Sequence, residues 1–347
     1  MTPISTECAE QVSISRERLV ETAFGLVENL RVAGPRASGV RGESYSHHYQ
    51  VCLPYHGAFV WHVGRDDVVA DPNRVLFVRG EEEFGVSRPV SGGYGELIVT
   101  ARPDLLADLL EVPERRLADH VLFRQRSAPA SAALQRRGIE FLHAAAAGDA
   151  GECGDRDGSG DGGLAAEEWM VSFVRASLAS AGAADAAHAG DAIEVSPSTL
   201  RLVGRAKTYL AANLSEPMRL ERIARAAGTT PAYLTSMFRR VEGRPLHKYL
   251  VQLRLARALV ELPKTTDLTA LACELGFSSH SHFTAVFRRT FGCTPSTFRD
   301  SMHMRRGLQR GSERGSQCGS RCSVSPLEIR QLSGHSAFGL YQRKSAR

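Results

Sequence analysis

A tandem repeat constrains this chain more than any other feature. Residues 268–299, LTALACELGFSSHSHFTAVFRRTFGCTPSTFR, open with a helical apolar pattern (Leu268, Leu271, Ala272, Leu275) that stops at Gly276. Glycine is the residue type that tolerates a left-handed helix end. Phe277 follows, Ser278 and Ser279 offer N-cap oxygens, and a second helix runs through Phe283, Val286 and Phe287. One such pair of short helices is an ordinary helical hairpin. A second copy lies at residues 220–250, LERIARAAGTTPAYLTSMFRRVEGRPLHKYL. It sets Gly228 against Gly276, Leu234 against Phe283, Phe238 against Phe287, and Arg239-Arg240 against Arg288-Arg289. The step from glycine to the first core position is six residues in the upstream copy and seven downstream, so the second turn is one residue longer. Two units about 48 residues apart share one helix-turn-helix design.

The charge is divided along the same line. Residues 201–300 carry 16 Lys/Arg against 7 Asp/Glu and residues 301–347 carry 9 against 2, whereas residues 1–200 carry 18 against 29. A basic segment beside an acidic one suggests that only the former meets a polyanion. A basic run alone is as readily a solvated face, and its coincidence with two helix-turn-helix copies tilts the reading toward nucleic acid. No run of eighteen apolar residues suggests a membrane span. The N-terminus lacks a basic stretch followed by an apolar one, so no secretion signal is expected. Seven scattered cysteines argue for a reducing cytoplasm rather than a disulfide framework.

Upstream, residues 15–30 place Leu19, Ala23, Leu26, Val27 and Leu30 at the spacing of an amphipathic helix. From Tyr45 to Thr100 the period changes to short β-branched and aromatic runs separated by Gly, Pro, Asp and Asn, which predicts several antiparallel strands in a small sandwich or barrel able to enclose a ligand. His47, His48, His56 and His62 lack a tight His-x-His with a following Glu, so no metal and no cofactor are expected. Residues 103–110, 129–147 and 164–181 have helical patterns. The last two would serve as a dimer seam or pack onto the barrel. The acidic, Gly-rich stretch 148–163 resembles a calcium loop at its start, but Ala166 stands where the bidentate Glu belongs, and a flexible linker is the better reading. Residues 199–213 open the basic part, and a long helix at 245–262 joins the two copies, ended by Pro263. Past Asp300 the composition turns to Arg, Gly, Ser and Gln with little periodicity, which predicts disorder. The expected organisation is a β-rich sensing domain at 15–181, a linker at 182–197, a helical domain at 198–301 and a basic tail at 302–347.

Gly276-Phe277, Phe283 and Phe287, then Phe291-Gly292, Thr294-Pro295 and Phe298-Arg299, form a pattern that resembles the signature of the AraC/XylS transcriptional regulators. The upstream copy and the long helix fit the same pattern, so the resemblance covers about residues 198–301. The N-terminal stretch is similar, more loosely, to the cupin-like sensor of that family. The resemblance implies an α+β protein: an antiparallel β (cupin-like) domain with flanking helices, then an all-α domain with two helix-turn-helix motifs joined by a long helix. It further implies a homodimeric regulator of transcription, an activator working with RNA polymerase and a small-molecule effector on double-stranded DNA. Carried over position by position, the base-contacting residues are Ala232, Thr235 and Ser236 in the first copy and Ser281, His282 and Ala285 in the second, with His280 beside them. Tyr233, Arg239, Arg240, Lys248, Thr284, Arg288 and Arg289 face the DNA backbone. No Arg, Gln or Asn stands at the reading positions, so the strong bidentate base contacts are missing and affinity must lean on phosphates. Half-buried packing is the rival role for His282. No catalytic residue is expected, because residues 45–100 cluster no metal triad or acid/base pair. Cys52, inside an apolar strand run, reads as a buried hydrophobe rather than the nucleophile of a DNA-alkylation sensor.

Overall fold

Short β-branched runs split by turn residues fold as strands pairing with their neighbours in antiparallel fashion. In chain order these are β1 (Ser13–Thr22), β2 (Gly25–Ala33), β3 (Glu43–Ser46), β4 (Gln50–Gly57), β5 (Phe59–Val63), β6 (Asp66–Ala70), β7 (Arg74–Val78), β8 (Glu82–Ser87), β9 (Tyr94–Ala101) and β10 (Ser127–Pro129). The computed structural model describes residues 12–37, 39, 43–146, 161–188 and 195–314. One sheet has the order β1-β2-β9-β4-β7-β10 and the other β3-β8-β5-β6, the expected cupin-like pairing of two antiparallel sheets. Phe59, Trp61 and Val63 of β5 meet Cys52, Leu76, Val78, Tyr94 and Ile98 between the sheets. The opposite face of the larger sheet (Val51, Leu53, Phe77, Leu97, Val99) is covered by helices. Strands β4, β7 and β9 are therefore apolar on both faces, which is why they read as near-continuous hydrophobic runs.

Helices α1 (Pro103–Leu110), α2 (Val121–Gln125), α3 (Ala132–Ala146) and α4 (Asp161–His188) follow the sheets. Leu134 and Phe141 of α3, with Met170, Phe173 and Val174 of α4, lie on the larger sheet, and Phe141, Trp169 and Phe173 stack in series at 3.8 and 4.8 Å. Of the two uses expected for this helix pair, packing on the barrel is the one these faces serve. The helical part comprises α5 (Pro197–Ala212), α6 (Leu220–Ala227), α7 (Pro231–Glu242), α8 (Leu246–Glu261), α9 (Leu268–Glu274), α10 (His280–Phe291) and α11 (Pro295–Arg314). It holds two cores. Leu202, Ile223, Leu234, Phe238 and Tyr249 belong to one, and Leu259, Leu271, Phe283, Phe287 and Phe298 to the other.

Three expectations need correction. Residues 15–30 are a hairpin, not a helix: β1 pairs with β2 from Ser13↔Ala33 to Thr22↔Gly25. The helical spacing of its leucines was outweighed by the turn Ala23-Phe24 and by β9, which pairs with β2 along its length. Gly25 has φ +147, and a Cβ there would lie 2.0 Å from the Thr100 carbonyl oxygen. The disorder expected past 301 is also wrong up to Arg314, because α11 runs on to that residue and Met302 is buried in the second core. Likewise α4 continues to His188, beyond the expected domain edge at 181. The stretch 148–160 and the remainder of the tail lie outside the described residues.

Glu96 of β9 lies on the same strand face as Tyr94 and Ile98, toward the space between the sheets. Burial pushes its carboxyl up to about 7, against the opposing pull of the Cys52 thiol and Arg16. Burial raises the Cys52 thiol well above its ordinary value, in keeping with the inert thiol expected from the sequence. A carboxyl raised in the folded state stabilises the fold below its unfolded pKa and loses that contribution as pH rises through the folded value. The protein should therefore lose on the order of 3 kcal/mol from this group between pH 4.5 and 8. Glu96→Gln should flatten that part of the dependence, read as the urea midpoint at each pH. An unchanged slope in the variant would refute the assignment.

Candidate nucleic-acid interface

Each helix-turn-helix is set by local chemistry. In the first, α6 ends at Gly228 in the left-handed region (φ +72), and the Thr230 side chain caps α7 by accepting from Tyr233 N at 3.4 Å. Pro231 occupies the first turn, where its missing N–H costs nothing. In the second, Asp267 caps α9 by accepting from Thr269 N and Ala270 N at 2.8 and 3.0 Å. Gly276 turns the chain at φ +78, and Ser279 caps α10 by accepting from His282 N at 3.1 Å. Of the positions whose helical spacing marks them as core, Leu234, Phe238, Phe283, Val286 and Phe287 are buried and Met237 is half-buried.

The helix faces expected to read bases point to solvent. Ala232, Tyr233, Thr235 and Ser236 of α7 are exposed, as are Ser281, His282 and Ala285 of α10, whereas His280 and Thr284 are half-buried. Thr235 Oγ1 donates to the Pro231 carbonyl at 2.9 Å, leaving its methyl as the freer group. The His282 ring meets the Ser278 hydroxyl at 3.1 Å and sits edge-on to Phe277 at 5.7 Å, so it is exposed yet braced. Arg239, Arg240, Lys248, Arg288 and Arg289 are exposed, and none has an ion pair among the described residues. Between the two motifs lies a groove of about 1000 Å³, lined by Arg244, His247, Lys248, Gln252, His282 and Arg289, with Pro129, Ala130 and Ser131 of the β domain along one side. No acid lines it. Arg244 and His247 were not singled out from sequence, although the basic count around Lys248 offered the signal.

Arg254 was missed too. It lies on the buried side of α8, and its guanidinium donates to the carbonyls of Leu214, Gly276 and Glu216 at 2.9, 2.7 and 2.7 Å. Leu214 lies in the α5–α6 loop packed against the first helical core and Gly276 in the turn of the second motif, so one side chain fastens the two halves of the helical part together. Burial lowers its pKa. Its ring partner Phe277 lies 6.0 Å from the guanidinium carbon. A charged residue in the apolar pattern QLRLARAL was the only trace of this in the sequence.

Where the β domain meets the helices a cleft of about 820 Å³ opens, lined by Tyr55, His56, Asn213, Arg257, Glu261 and Lys264 among others. An adjoining recess of about 520 Å³ shares His56, Arg257 and Lys264 and adds Arg31, Tyr94, Ile139 and Leu142. Burial and the Arg257 guanidinium lower His56 to about 4, so its ring is neutral at pH 7. Arg257 pairs with Glu261 at 2.9 Å. His143 of α3 lines the recess as well, whereas His62 joins Asp67 and Ser87 at 2.6 and 2.8 Å and His47 lies 3.7 Å from Glu81, both away from the cleft.

Two tandem helix-turn-helix units on a shared long helix define a DNA-binding module, and comparison with known proteins gives its family. A helix-turn-helix domain family matches residues 223–301. Over 89 residues the chain is 38% identical to the regulatory protein SoxS of Salmonella typhimurium, covering 25% of this chain and 82% of that protein. It is 34% identical over 99 residues to the transcriptional activator RhaR of Klebsiella pneumoniae, 28% of this chain and 35% of that one. Among solved structures, an AraC-type regulator from Chromobacterium violaceum is 30% identical and covers 29% of this chain and 91% of its own, with a TM-score of 0.28. The chain belongs to the AraC/XylS family of transcriptional regulators, and like these relatives it is a DNA-binding regulator and not an enzyme. Among the described residues no helix is long and apolar enough to cross a membrane.

The turn at Gly276 and the Arg254 strut depend on each other, since a Cβ at Gly276 would lie 2.6 Å from the guanidinium. Gly276→Ala should cost at least about 1–2 kcal/mol for the left-handed backbone alone. Arg254→Met, which strands three carbonyls, should cost about 3 kcal/mol or more. Urea unfolding of the full chain measures both. A loss below about 0.5 kcal/mol for Arg254→Met would show the strut to be dispensable.

Proposed function

We propose that the protein is a sequence-specific regulator of transcription that inserts α7 and α10 into the major groove on one side of double-stranded DNA, under control of a small molecule bound at the cleft beside His56. The observation that carries this is the pair of exposed polar helix faces held on one rigid connector, with an acid-free basic groove between them. Such helices reach successive turns of the groove when held about 34 Å apart. Ala232, Ala285 and the Thr235 methyl suit thymine methyl groups. Ser236, Ser281, His282 and, at the margin, His280 make single or water-mediated hydrogen bonds to base edges. Arg239, Arg240, Lys248, Arg288 and Arg289, with Tyr233 and Thr284, bind the phosphates and supply most of the affinity. In the recess beside His56, Arg31, Arg257 and Lys264 outnumber Glu261, which suits an effector with an acidic group there. Regulation then proceeds in the cytoplasm, as a homodimer acting on RNA polymerase at the bound promoter.

Duplexes selected by the protein from a random-sequence pool provide the test. Arg288→Ala should weaken binding to selected and random duplexes about equally and lower the salt slope by roughly one. Ser281→Ala and His282→Ala should each cost on the order of 1–3 kcal/mol on the selected duplex and little on random DNA. Failure to enrich any sequence, with non-specific binding intact, would defeat the sequence-specific reading.

A further inference from the structure

The two recognition helices end in the same way. Glu242 is the last residue of α7 and Phe291 the last of α10. Each lies four residues beyond the equivalent core phenylalanines Phe238 and Phe287, so they are the same position of the repeat. Each is gripped by an arginine of the β domain. Arg74, at the start of β7, reaches the Glu242 carboxylate with Nη1 at 3.4 Å. Arg136, on α3, donates from Nη1 to the Phe291 carbonyl at 2.8 Å, one of the orphan acceptors at a helix end.

The first grip sits in a closed buried network. Lys207 of α5 lies 3.2 Å from Glu242 and 3.8 Å from Asp71, and it donates to the Val69 carbonyl at 2.9 Å. Tyr249 of α8 donates its hydroxyl to Asp71 at 2.6 Å, and Asn73 donates to the Tyr249 carbonyl at 3.0 Å. Arg74 is itself aimed by Ser127, whose hydroxyl accepts at 2.7 Å. Two acids and two bases cancel, and Asp71 and Glu242 are withdrawn from water. The second grip is more open. Arg136 pairs with Glu140 at 2.8 Å and lies over the Phe298 ring, while Ile139 of the same helix enters the second core.

We infer that the β domain is a positioning element of the DNA-reading machinery: Arg74 and Arg136 hold the C-terminal ends of the two recognition helices and so fix their spacing and phase on the duplex. This rests on the sequence-specific reading above. A purely apolar seam of the same size holds two domains at least as firmly but tolerates sliding, whereas directed hydrogen bonds to buried charges accept one orientation. The reading faces stay open while both grips are made, so the docking orients the helices and does not cover them.

Spacing tolerance in the full-length protein tests this. A duplex selected from a random pool is compared with the same duplex carrying one extra base pair between its two half-sites. For the parent protein the insertion should weaken binding about tenfold or more. In Arg136→Met, and in Arg74→Met combined with Glu242→Gln, so that no carboxylate is stranded, the penalty should shrink to about threefold or less. Arg74→Lys, which keeps the charge beside Glu242, should retain most of the parent's penalty. A role confined to stability would lower affinity for both duplexes in proportion and leave their ratio at the parent value, and that result overturns the inference. If no sequence is enriched at all, the reading on which the inference stands falls first, and the two failures are told apart by the selection step.

Discussion

Nearly every other feature of the molecule leans on α8, a helix with little free surface. Tyr249, Leu250 and Leu253 close the first helical core, and Leu255, Ala258 and Leu259 close the second. Between these faces Arg254 joins the two halves of the helical part through backbone carbonyls, and Arg257 meets His56 across the domain boundary. A helix buried on most sides cannot tilt for one partner without disturbing the others, because protein interiors are packed as densely as organic crystals. The separation of the two recognition helices is therefore a property of packing throughout the chain, and not of the connector's own stiffness alone.

The seam between β domain and helices is polar at the first motif and largely apolar at the second. At the first, burial works against both carboxyls, but with opposite net outcomes. Lys207 and Arg74 overcome it at Glu242, which is held below its ordinary value. At Asp71 burial wins, and the carboxyl is raised despite Lys207 and the Tyr249 hydroxyl. The physical sense is that Glu242 has two cations against it and Asp71 has one at a longer distance. Such networks give little net stability over a well-packed apolar seam, since the desolvation of each charge offsets most of the Coulombic attraction. Their value lies in direction. Losing one partner leaves a charge buried alone, so the arrangement is close to all-or-none.

The glycines and caps of the repeat were legible because helix ends are written locally. Gly228, Gly276, Thr230 and Ser279 do their work within four residues of themselves. The core phenylalanines were legible for the same reason, through helical spacing. Residues 15–30 were not, because strand or helix was decided there by β9, some seventy residues away, whose edge offered a full ladder of hydrogen bonds. Arg254, Arg74 and the Asp71 cluster were illegible for a related reason. Their partners lie from 22 to 178 residues distant, and a charged side chain gives no local sign of the carbonyl or carboxylate it will meet.

The positions proposed to read bases carry Ala, Thr, Ser and His and none of the residues that grip a base with two hydrogen bonds. Taken one at a time, such contacts discriminate weakly. Discrimination improves when several weak contacts must be made together, because a helix that can shift recovers on a wrong sequence what it lost on the right one. Rigid mutual placement removes that recovery, so each mismatch keeps its full cost. A protein with poor individual readers thus gains most from a scaffold that will not adjust. The buried connector, the Arg254 strut and the arginines at both helix ends supply that scaffold, and on this argument the modest chemistry of the reading faces and the heavily fastened architecture behind them are parts of one solution.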